Sequence, residues 1–283
     1  MQERGRSVLF ILPPVVLVLI LGGWWITLGV IGLTILAGIE VFRLLKPAGY
    51  PAMPWLGVAI AVAIVVDAAV PTVLAGSGTI LAAIGILLAA AGAFTRTDPR
   101  DGLNAWIGTV FGAMYVGLLA FIVRLGTAGP PLPASAPLAV VGSERLWIMI
   151  LILAVWAYDT GAYLAGKTFG VRFGELIGHE KFLTHISPSK TYAGLLGGVM
   201  ATTVVALVGL WCAGQPVLYG LLLGPLVGLA AQTGDLAESM LKRAAGAKDS
   251  SNLIPGHGGA LDRVDSFLMA APVMTLFVLT FLR

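Results

Sequence analysis

The residues best suited to chemistry lie between Ser239 and Asp265, in a polar segment with long apolar stretches on both sides. Its charged and imidazole side chains are Lys242, Arg243, Lys248, Asp249, His257, Asp262, Arg263 and Asp265. Cations bind phosphate, carboxylates bind metal ions, and the glycines of this segment allow the backbone to approach a ligand. Charge close to a bilayer is costly and is usually retained for function. The segment therefore indicates phosphate chemistry at a membrane surface.

The start of this polar region predicts one functional face of a helix. At 100° per residue, Asp235, Ser239 and Lys242 lie within about 60° of one another, and Glu238 flanks them. This face offers a carboxylate near the membrane, then a hydroxyl, then a cation nearer water. The order suits a hydrated metal ion at Asp235 and a phosphate at Lys242. The alternative is a solvated helix end with i,i+4 ion pairs, which the membrane-edge position of Asp235 disfavours.

The end of the segment, from Ile254 to Asp265, predicts a glycine-rich turn that leads into the last apolar helix. A helix N-terminus attracts anions, but Asp262 and Asp265 share a face of its first turn and would repel bare phosphate. A divalent cation such as Mg²⁺ between carboxylate and phosphate resolves that conflict. The glycines alone would indicate an ordinary tight turn; with charged residues on both sides, they indicate a ligand site.

A third polar stretch follows the sixth apolar segment, which itself contains Asp159 and Tyr163. The loop after it carries Ser187, Ser189 and Lys190. Lys190 stands at the mouth of the next helix and is a candidate ligand for polyphosphate. Either serine would also serve as the N-cap of that helix.

The composition predicts a polytopic membrane protein. Hydrophobic residues make up 58% of the 283 residues, charged residues only 11%, and the mean hydropathy is +0.95. Soluble domains carry about 25% charged residues. The net charge of +3 is too small and dispersed to indicate a nucleic-acid partner. A single cysteine excludes an intramolecular disulfide framework.

The lengths of the apolar runs predict an all-α bundle of about nine transmembrane helices, in a single membrane domain over residues 1–283. A helix needs about 20 apolar residues to cross the hydrocarbon core. The predicted spans are 8–22, 24–43, 55–72, 75–94, 104–123, 146–165, 191–211, 217–235 and 264–282. The first run is interpreted as a retained span rather than a signal peptide, because no small-residue cleavage pattern follows it.

The distribution of basic residues predicts the orientation of these spans. Of 17 Lys and Arg residues, only Arg124, Arg145 and Arg283 fall on the side opposite the N-terminus. The positive-inside rule then places the N-terminus and the polar loops in the cytoplasm, with the spans in the cell (inner) membrane. The helices of 1–125 would form a lipid-facing support, and 146–283 would contain the catalytic helices and loops.

The polar segment resembles the signature of the phosphatidate cytidylyltransferases, also called CDP-diacylglycerol synthases. That signature is a serine followed by K-R, K-D, P-x-H-G-G and D-R-x-D. Its matches here are Ser239, Lys242-Arg243, Lys248-Asp249, Pro255–Gly259 and Asp262–Asp265. The stretches D-T-G-A-Y at 159–163 and S-P-S-K-T-Y at 187–192 also look like family features, whereas Ala260 replaces a larger aliphatic residue. The resemblance covers about the second half of the chain; the first half matches mainly in hydropathy.

The resemblance implies transfer of a cytidylyl group from CTP to phosphatidate, giving CDP-diacylglycerol and pyrophosphate. It implies Mg²⁺ at Asp235 and Asp262, a second cation for which K⁺ is a candidate, contacts with membrane lipids, and the homodimer common in the family. Lys248, Asp249 and Asp265 complete the catalytic candidates. The substrate-binding candidates are Ser187, Lys190, Ser239, Lys242, Arg243, His257, Gly258, Gly259 and Arg263.

Two other functions are compatible with parts of the pattern. A CTP-dependent polyprenol or dolichol kinase would also need a cytidine-nucleotide site at the membrane, but it would transfer the γ-phosphoryl group to an alcohol. An ion-coupled transporter could use Asp67, Asp159 and Asp235 as a cation path. A transporter would favour acids near mid-membrane and inverted repeats, whereas the acids here concentrate at one face and no repeat is evident. Asp67 is interpreted as structural or interfacial.

Overall fold

The structure, a computed structural model, describes residues 2–70, 78–169, 181, 183–251 and 258–282. Within these ranges the architecture is helical, without named strands, which confirms the predicted fold class. The helices are α1 (Gln2–Leu21), α2 (Trp24–Leu45), α3 (Pro54–Ala69), α4 (Gly78–Ala93), α5 (Pro99–Gly117), α6 (Ala120–Ala128), α7 (Ser143–Phe169), α8 (Tyr192–Cys212), α9 (Gly220–Ala244) and α10 (Leu261–Phe281).

Apolar helices occur at all nine predicted span positions. Within the part of the chain that the structure describes, six segments are long and apolar enough to cross a membrane: Trp24–Leu45, Pro99–Ala128, Ser143–Phe169, Tyr192–Cys212, Val217–Ala244 and Leu261–Phe281. Three shorter apolar helices are Leu12–Leu21, Pro54–Ala69 and Ile80–Ala93. α9 continues nine residues beyond the predicted end at 235, through Glu238, Lys242 and Arg243. Hydropathy measures apolar length, whereas backbone hydrogen bonding continues through polar residues.

The fifth predicted span is interrupted within the bundle. It consists of α5 and α6, separated at Leu118 and Leu119. There the Leu118 N–H donates to the Tyr115 carbonyl at 3.3 Å, and the Leu119 N–H donates to the Val116 carbonyl at 3.1 Å. These i to i−3 bonds tighten the helix locally. The sequence does not indicate this break, because the side chains on both sides of it are apolar.

Close contact between α7 and α8 depends on glycine. A Cβ at Gly161 would lie 2.6 Å from the Gly197 carbonyl oxygen, and one at Gly198 would lie 2.6 Å from the Tyr158 ring. Small residues allow backbones in a membrane bundle to approach and gain van der Waals contact. This contact fixes the position of Tyr158 relative to the first turns of α8.

A second close crossing joins α9 to α10. Gly234 on α9 leaves no room for a side chain, because an added Cβ would overlap the carbonyl oxygen of Asp265 on α10. The crossing therefore places the acidic stretch of α9 beside the acidic first turns of α10. This backbone contact positions the candidate site.

The polar loops meet at one end of the bundle. Side chains from the end of α2, the segment before α8, the end of α9 and the start of α10 contact one another there. At the opposite end, the Gly23 N–H donates to Glu144 at 3.1 Å, and the Leu138 N–H donates to the Cys212 carbonyl at 3.1 Å. These contacts agree with the alternating order of the predicted spans; which end faces the cytoplasm stays a prediction.

We expect single-cysteine labelling to show the orientation. On a Cys212→Ser background, cysteines at Lys181 and Lys248 should react with an impermeant maleimide only after intact cells are opened. A cysteine at Ala134, which is exposed in the loop before α7, should react in intact cells. Labelling of position 248 from outside would contradict the predicted topology.

Candidate functional site

A buried lysine joins α9 to α10. The Nζ of Lys242 lies 2.6 Å from an oxygen of Glu238, one turn earlier on α9, and 2.7 Å from Oδ1 of Asp262 on α10. The Glu238 side chain is 1% exposed, and those of Lys242 and Asp262 are 11% and 13% exposed. Charges this far from water need partners. The cation that the sequence assigned to phosphate is thus bound by two carboxylates.

Asp262 is held on both of its oxygens. Its Oδ1 accepts from Lys242, and its Oδ2 accepts from the Ser250 N–H at 3.1 Å, the Ser250 hydroxyl at 2.6 Å and the Gly259 N–H at 2.8 Å. A carboxylate in the first turn of a helix also interacts favourably with the helix dipole. The side chain therefore has a fixed direction at the start of α10.

Gly258 and Gly259, which precede α10, leave space that the carboxylates of Asp262 and Glu40 occupy. Gly258 has φ +77°, which a residue with a side chain rarely adopts, and a Cβ there would lie 2.5 Å from Oδ2 of Asp262. A Cβ at Gly259 would overlap the Glu40 carboxylate and the Ser250 hydroxyl. Binding of substrate by these glycines stays a prediction. Packing against the two carboxylates already requires glycine at both positions.

Glu40, on α2, is a site residue that the sequence reasoning missed. Its carboxylate is 3% exposed and accepts hydrogen bonds from Ser250, Ser251, Ala260 and Leu261. It is the sole acid of α2. An acid in an apolar span is a functional signal, so the sequence contained the means to find it. The N-terminal half therefore contributes directly to the polar cluster.

A second, more exposed network lies two turns earlier on α9. The Nζ of Lys190 lies 2.5 Å from Oδ2 of Asp235, and both side chains are about a quarter exposed, at 25% and 28%. The Gln232 amide donates to Asp235 at 3.4 Å, and the Tyr158 hydroxyl donates to the Gln232 oxygen at 2.8 Å. Lys190, which the sequence predicts as a polyphosphate ligand, pairs here with a carboxylate, and its binding of phosphate stays a prediction. Asp159, exposed on α7, follows Tyr158 in the chain.

Five further candidates lie on or next to α9 and α10. Lys248 and Asp249 are exposed in the turn after α9, and within the described ranges no hydrogen bond or ion pair joins them to the Lys242 cluster. The Arg243 guanidinium donates to the Ala247 carbonyl at 3.2 Å. Arg263 is exposed on α10, and Ser239 is half-buried on α9.

The remaining candidates have different outcomes. Asp265 is half-buried at the α9–α10 crossing, where its side chain accepts from the Ser266 N–H at 2.6 Å. Ser187 lies in a turn, where its N–H donates to the Leu183 carbonyl at 3.0 Å. His257 lies outside the described residues.

The N-cap of α8 is Thr191, so the prediction of Ser187 or Ser189 is wrong. The Thr191 hydroxyl accepts from the Gly194 N–H at 3.1 Å. The physical reason is position, because α8 begins at Tyr192 and an N-cap side chain bonds the amides two or three residues after itself. The two serines stand too far before the helix.

The carboxylates fit a magnesium ion that is shared with a substrate. Among the described residues, no group of three or more His, Cys, Asp or Glu side chains could hold a metal ion. Mg²⁺ usually binds one or two carboxylates together with water and substrate phosphates. Asp235 and Asp262 provide such oxygens, and one buried oxygen of Glu238 has no hydrogen-bond partner among the described residues. The donor set fits that mode rather than an all-protein cage.

Comparisons with known proteins show which sequences this chain resembles. The model of the cytidylyltransferase family matches residues 2–281. Similar proteins include phosphatidate cytidylyltransferases from Synechocystis sp., 44% identical over 140 residues, Staphylococcus aureus, 40% over 140 residues, and Bacillus subtilis, 39% over 137 residues. Each alignment covers 48% of this chain and 45%, 51% and 48% of the respective relative. The matched part is thus about half the length of each curated relative.

Replacing Lys242 by methionine should destabilise the protein by about 3–5 kcal/mol, because it leaves Glu238 and Asp262 buried without their cation. Unfolding of the purified protein by SDS would measure the loss. The double variant Lys242→Met/Glu238→Gln should recover part of it, since one uncompensated charge is removed.

The matched control for this prediction is Lys248→Met, which changes an exposed lysine in the next turn. It should alter the free energy of unfolding by no more than about 0.5 kcal/mol. Equal stabilities for Lys242→Met and Lys248→Met would show that the buried ion pairs contribute little.

Proposed function

The chain belongs to the cytidylyltransferase family, and on that premise we propose that it transfers the cytidylyl group of CTP to phosphatidate. An oxygen of the lipid phosphate forms a bond to the α-phosphorus of CTP, the bond from that phosphorus to the bridging oxygen breaks, and pyrophosphate leaves. The observation that carries the proposal is the meeting of Lys190, Asp235, Lys242 and Asp262 at one end of an apolar bundle. Phosphate-binding cations there stand at the boundary from which a lipid phosphate arrives.

This reaction needs orientation and charge neutralisation more than a base. The attacking phosphate is already ionised at neutral pH, so no side chain has to remove a proton from it. Two highly charged phosphates must instead be held close together and in line with the leaving group. Lys190, beside Asp235, and Lys242, two turns later along α9, supply positive charge for that purpose, and the buried contacts of Lys242 limit its movement.

The two lysines differ in their freedom to rearrange. Lys190 forms a partly exposed pair with Asp235, so a substrate phosphate can replace the carboxylate at a lower desolvation cost than in the buried pair. Lys242 is enclosed by Glu238 and Asp262. We assign Lys190 to direct phosphate binding and Lys242 to holding Asp262 in place.

Asp235 and Asp262 would hold Mg²⁺, which supplies neutralising charge to the phosphates and to the leaving pyrophosphate when bound. K⁺ as a second cation is proposed on the family resemblance. The same holds for the homodimer, for the cell membrane as location and for the cytoplasmic position of the polar end. Phosphatidate would reach the site from the surrounding bilayer.

Isotope-labelled CTP tests the proposed reaction against a lipid kinase. With purified protein, phosphatidate and Mg²⁺, the label of α-³²P-CTP should enter the lipid product, and the label of γ-³²P-CTP should be released as pyrophosphate. Transfer of the γ label to a polyprenol would support the kinase instead. Ion transport by reconstituted protein without any lipid product would support the transporter. The named relatives favour neither alternative.

Asp235→Asn should abolish most activity without unfolding the protein. The substitution keeps the shape of the side chain but removes an anionic oxygen from the proposed metal site, so we expect kcat/KM to fall at least about a hundredfold at any practical Mg²⁺ concentration. CDP-diacylglycerol formation measures the loss, and SDS unfolding checks the fold.

The control for Asp235→Asn is Asp101→Asn, because Asp101 is exposed in the first turn of α5 and belongs to neither network. Its activity should match the wild type. Near-normal turnover by Asp235→Asn would refute the assignment of Asp235 as a metal ligand.

A further inference from the structure

Glu40, on α2, accepts hydrogen bonds from residues of the candidate site that lie more than 200 residues later in the sequence. We propose that Glu40 is a positioning residue for cytidylyl transfer, because its buried carboxylate fixes the turn at 250–251 and the start of α10, and through them the direction of Asp262. The inference rests on the proposed function but is also testable without it.

Each oxygen of Glu40 accepts from one backbone amide and one hydroxyl. Its Oε1 accepts from the Ala260 N–H at 3.0 Å and the Ser251 hydroxyl at 2.6 Å. Its Oε2 accepts from the Leu261 N–H at 2.7 Å and the Ser250 hydroxyl at 2.9 Å. Four donors therefore surround a carboxylate that is 3% exposed. Such an arrangement stabilises the ionised form against the cost of burial.

The two amides belong to the unsatisfied N-terminus of α10. The N-cap residue is Ala260, which has no side chain able to cap, and the first amides of a helix need acceptors from elsewhere. Glu40 provides them across 220 and 221 residues of sequence. Its negative charge also lies at the positive end of the helix dipole. Removing the carboxylate would free the first turn of α10, which contains Asp262.

Ser250 connects Glu40 to Asp262. Its hydroxyl oxygen lies 2.9 Å from Oε2 of Glu40 and 2.6 Å from Oδ2 of Asp262. A hydroxyl has one hydrogen and donates to one carboxylate at a time, so the two acids compete for it. The Ser250 N–H also donates to Asp262 at 3.1 Å. A change at Glu40 therefore alters both the position and the hydrogen bonding of Asp262.

Gly259 provides an independent observation. A Cβ at this position would overlap both oxygens of Glu40. The second glycine of the G-G pair is thus small because the Glu40 carboxylate occupies the space where a side chain would lie. Gly259 and the Glu40 carboxylate are therefore complementary in shape, although more than 200 residues separate them.

The test compares Glu40→Gln with Glu144→Gln in the full-length protein. Glutamine keeps the shape but replaces one acceptor by an NH₂ group, which faces donors. We expect kcat/KM for CTP to fall tenfold to a hundredfold, because small displacements of a positioned group have effects of that order, with the SDS unfolding midpoint close to that of the wild type. Glu40→Asp, which keeps the charge, should recover part of the activity. Glu144 also accepts a distant backbone amide, from Gly23, but at the other end of the bundle, so Glu144→Gln should stay within twofold of the wild type.

Hydrogen exchange gives a readout that does not depend on activity. The amides of Ala260 and Leu261 should exchange faster in Glu40→Gln than in the wild type, and at the wild-type rate in Glu144→Gln. If Glu40→Gln fails to fold, Ser251→Ala removes one of the four donors and should give the same effects at smaller size, about threefold to tenfold in kcat/KM.

The outcomes separate the two proposals. Wild-type exchange at Ala260 and Leu261 in both Glu40→Gln and Ser251→Ala would overturn the bracing by Glu40, whatever the protein catalyses. Faster exchange with unchanged kinetics would overturn its role in catalysis and leave it a structural cap. A wild-type protein that forms no CDP-diacylglycerol would overturn the proposed function, while the exchange data would still decide whether Glu40 holds the start of α10.

Discussion

Burial of a cation between two carboxylates organises the polar end of this helical bundle. Lys242 contacts Glu238 on its own helix and Asp262 on the next, so it joins α9 to α10 by charge where the backbones already touch at Gly234. In an apolar environment, ionic contacts and hydrogen bonds are the interactions that fix the direction of charged side chains. The direction of the Asp262 side chain is therefore fixed by its contacts with Lys242, Ser250 and Gly259.

Glycine makes these contacts possible at each level of the structure. At the α7–α8 and α9–α10 crossings it allows backbones to approach. In the turn before α10 it admits the carboxylates of Asp262 and Glu40. The same residue type thus serves packing between spans and leaves space for hydrogen-bonded carboxylates in the site.

The sequence was sufficient for the fold class, the family and the positions of the nine apolar helices, because these depend on hydropathy and on a local motif. It could not predict the break at Leu118–Leu119, since apolar side chains continue across it. The sequence predicted that Lys242 binds phosphate. Helical spacing shows which residues share a face, but it does not show that Asp262 on another helix lies next to Lys242. Glu40 was missed although an acid in an apolar span is visible in the sequence; what spacing could not predict is its partners, which lie more than 200 residues away.

The difference in exposure between the two lysine pairs suggests how the site divides its work. A buried pair is costly to break, because an uncompensated charge would remain away from water. The partly exposed pair of Lys190 and Asp235 is better screened by water and can exchange partners more readily. The rigid contacts of Lys242, Asp262 and Glu40 therefore set the geometry. In the proposed reaction, Lys190 and Asp235, the more exposed pair, are then the groups that exchange their mutual contact for an incoming anion and its cation.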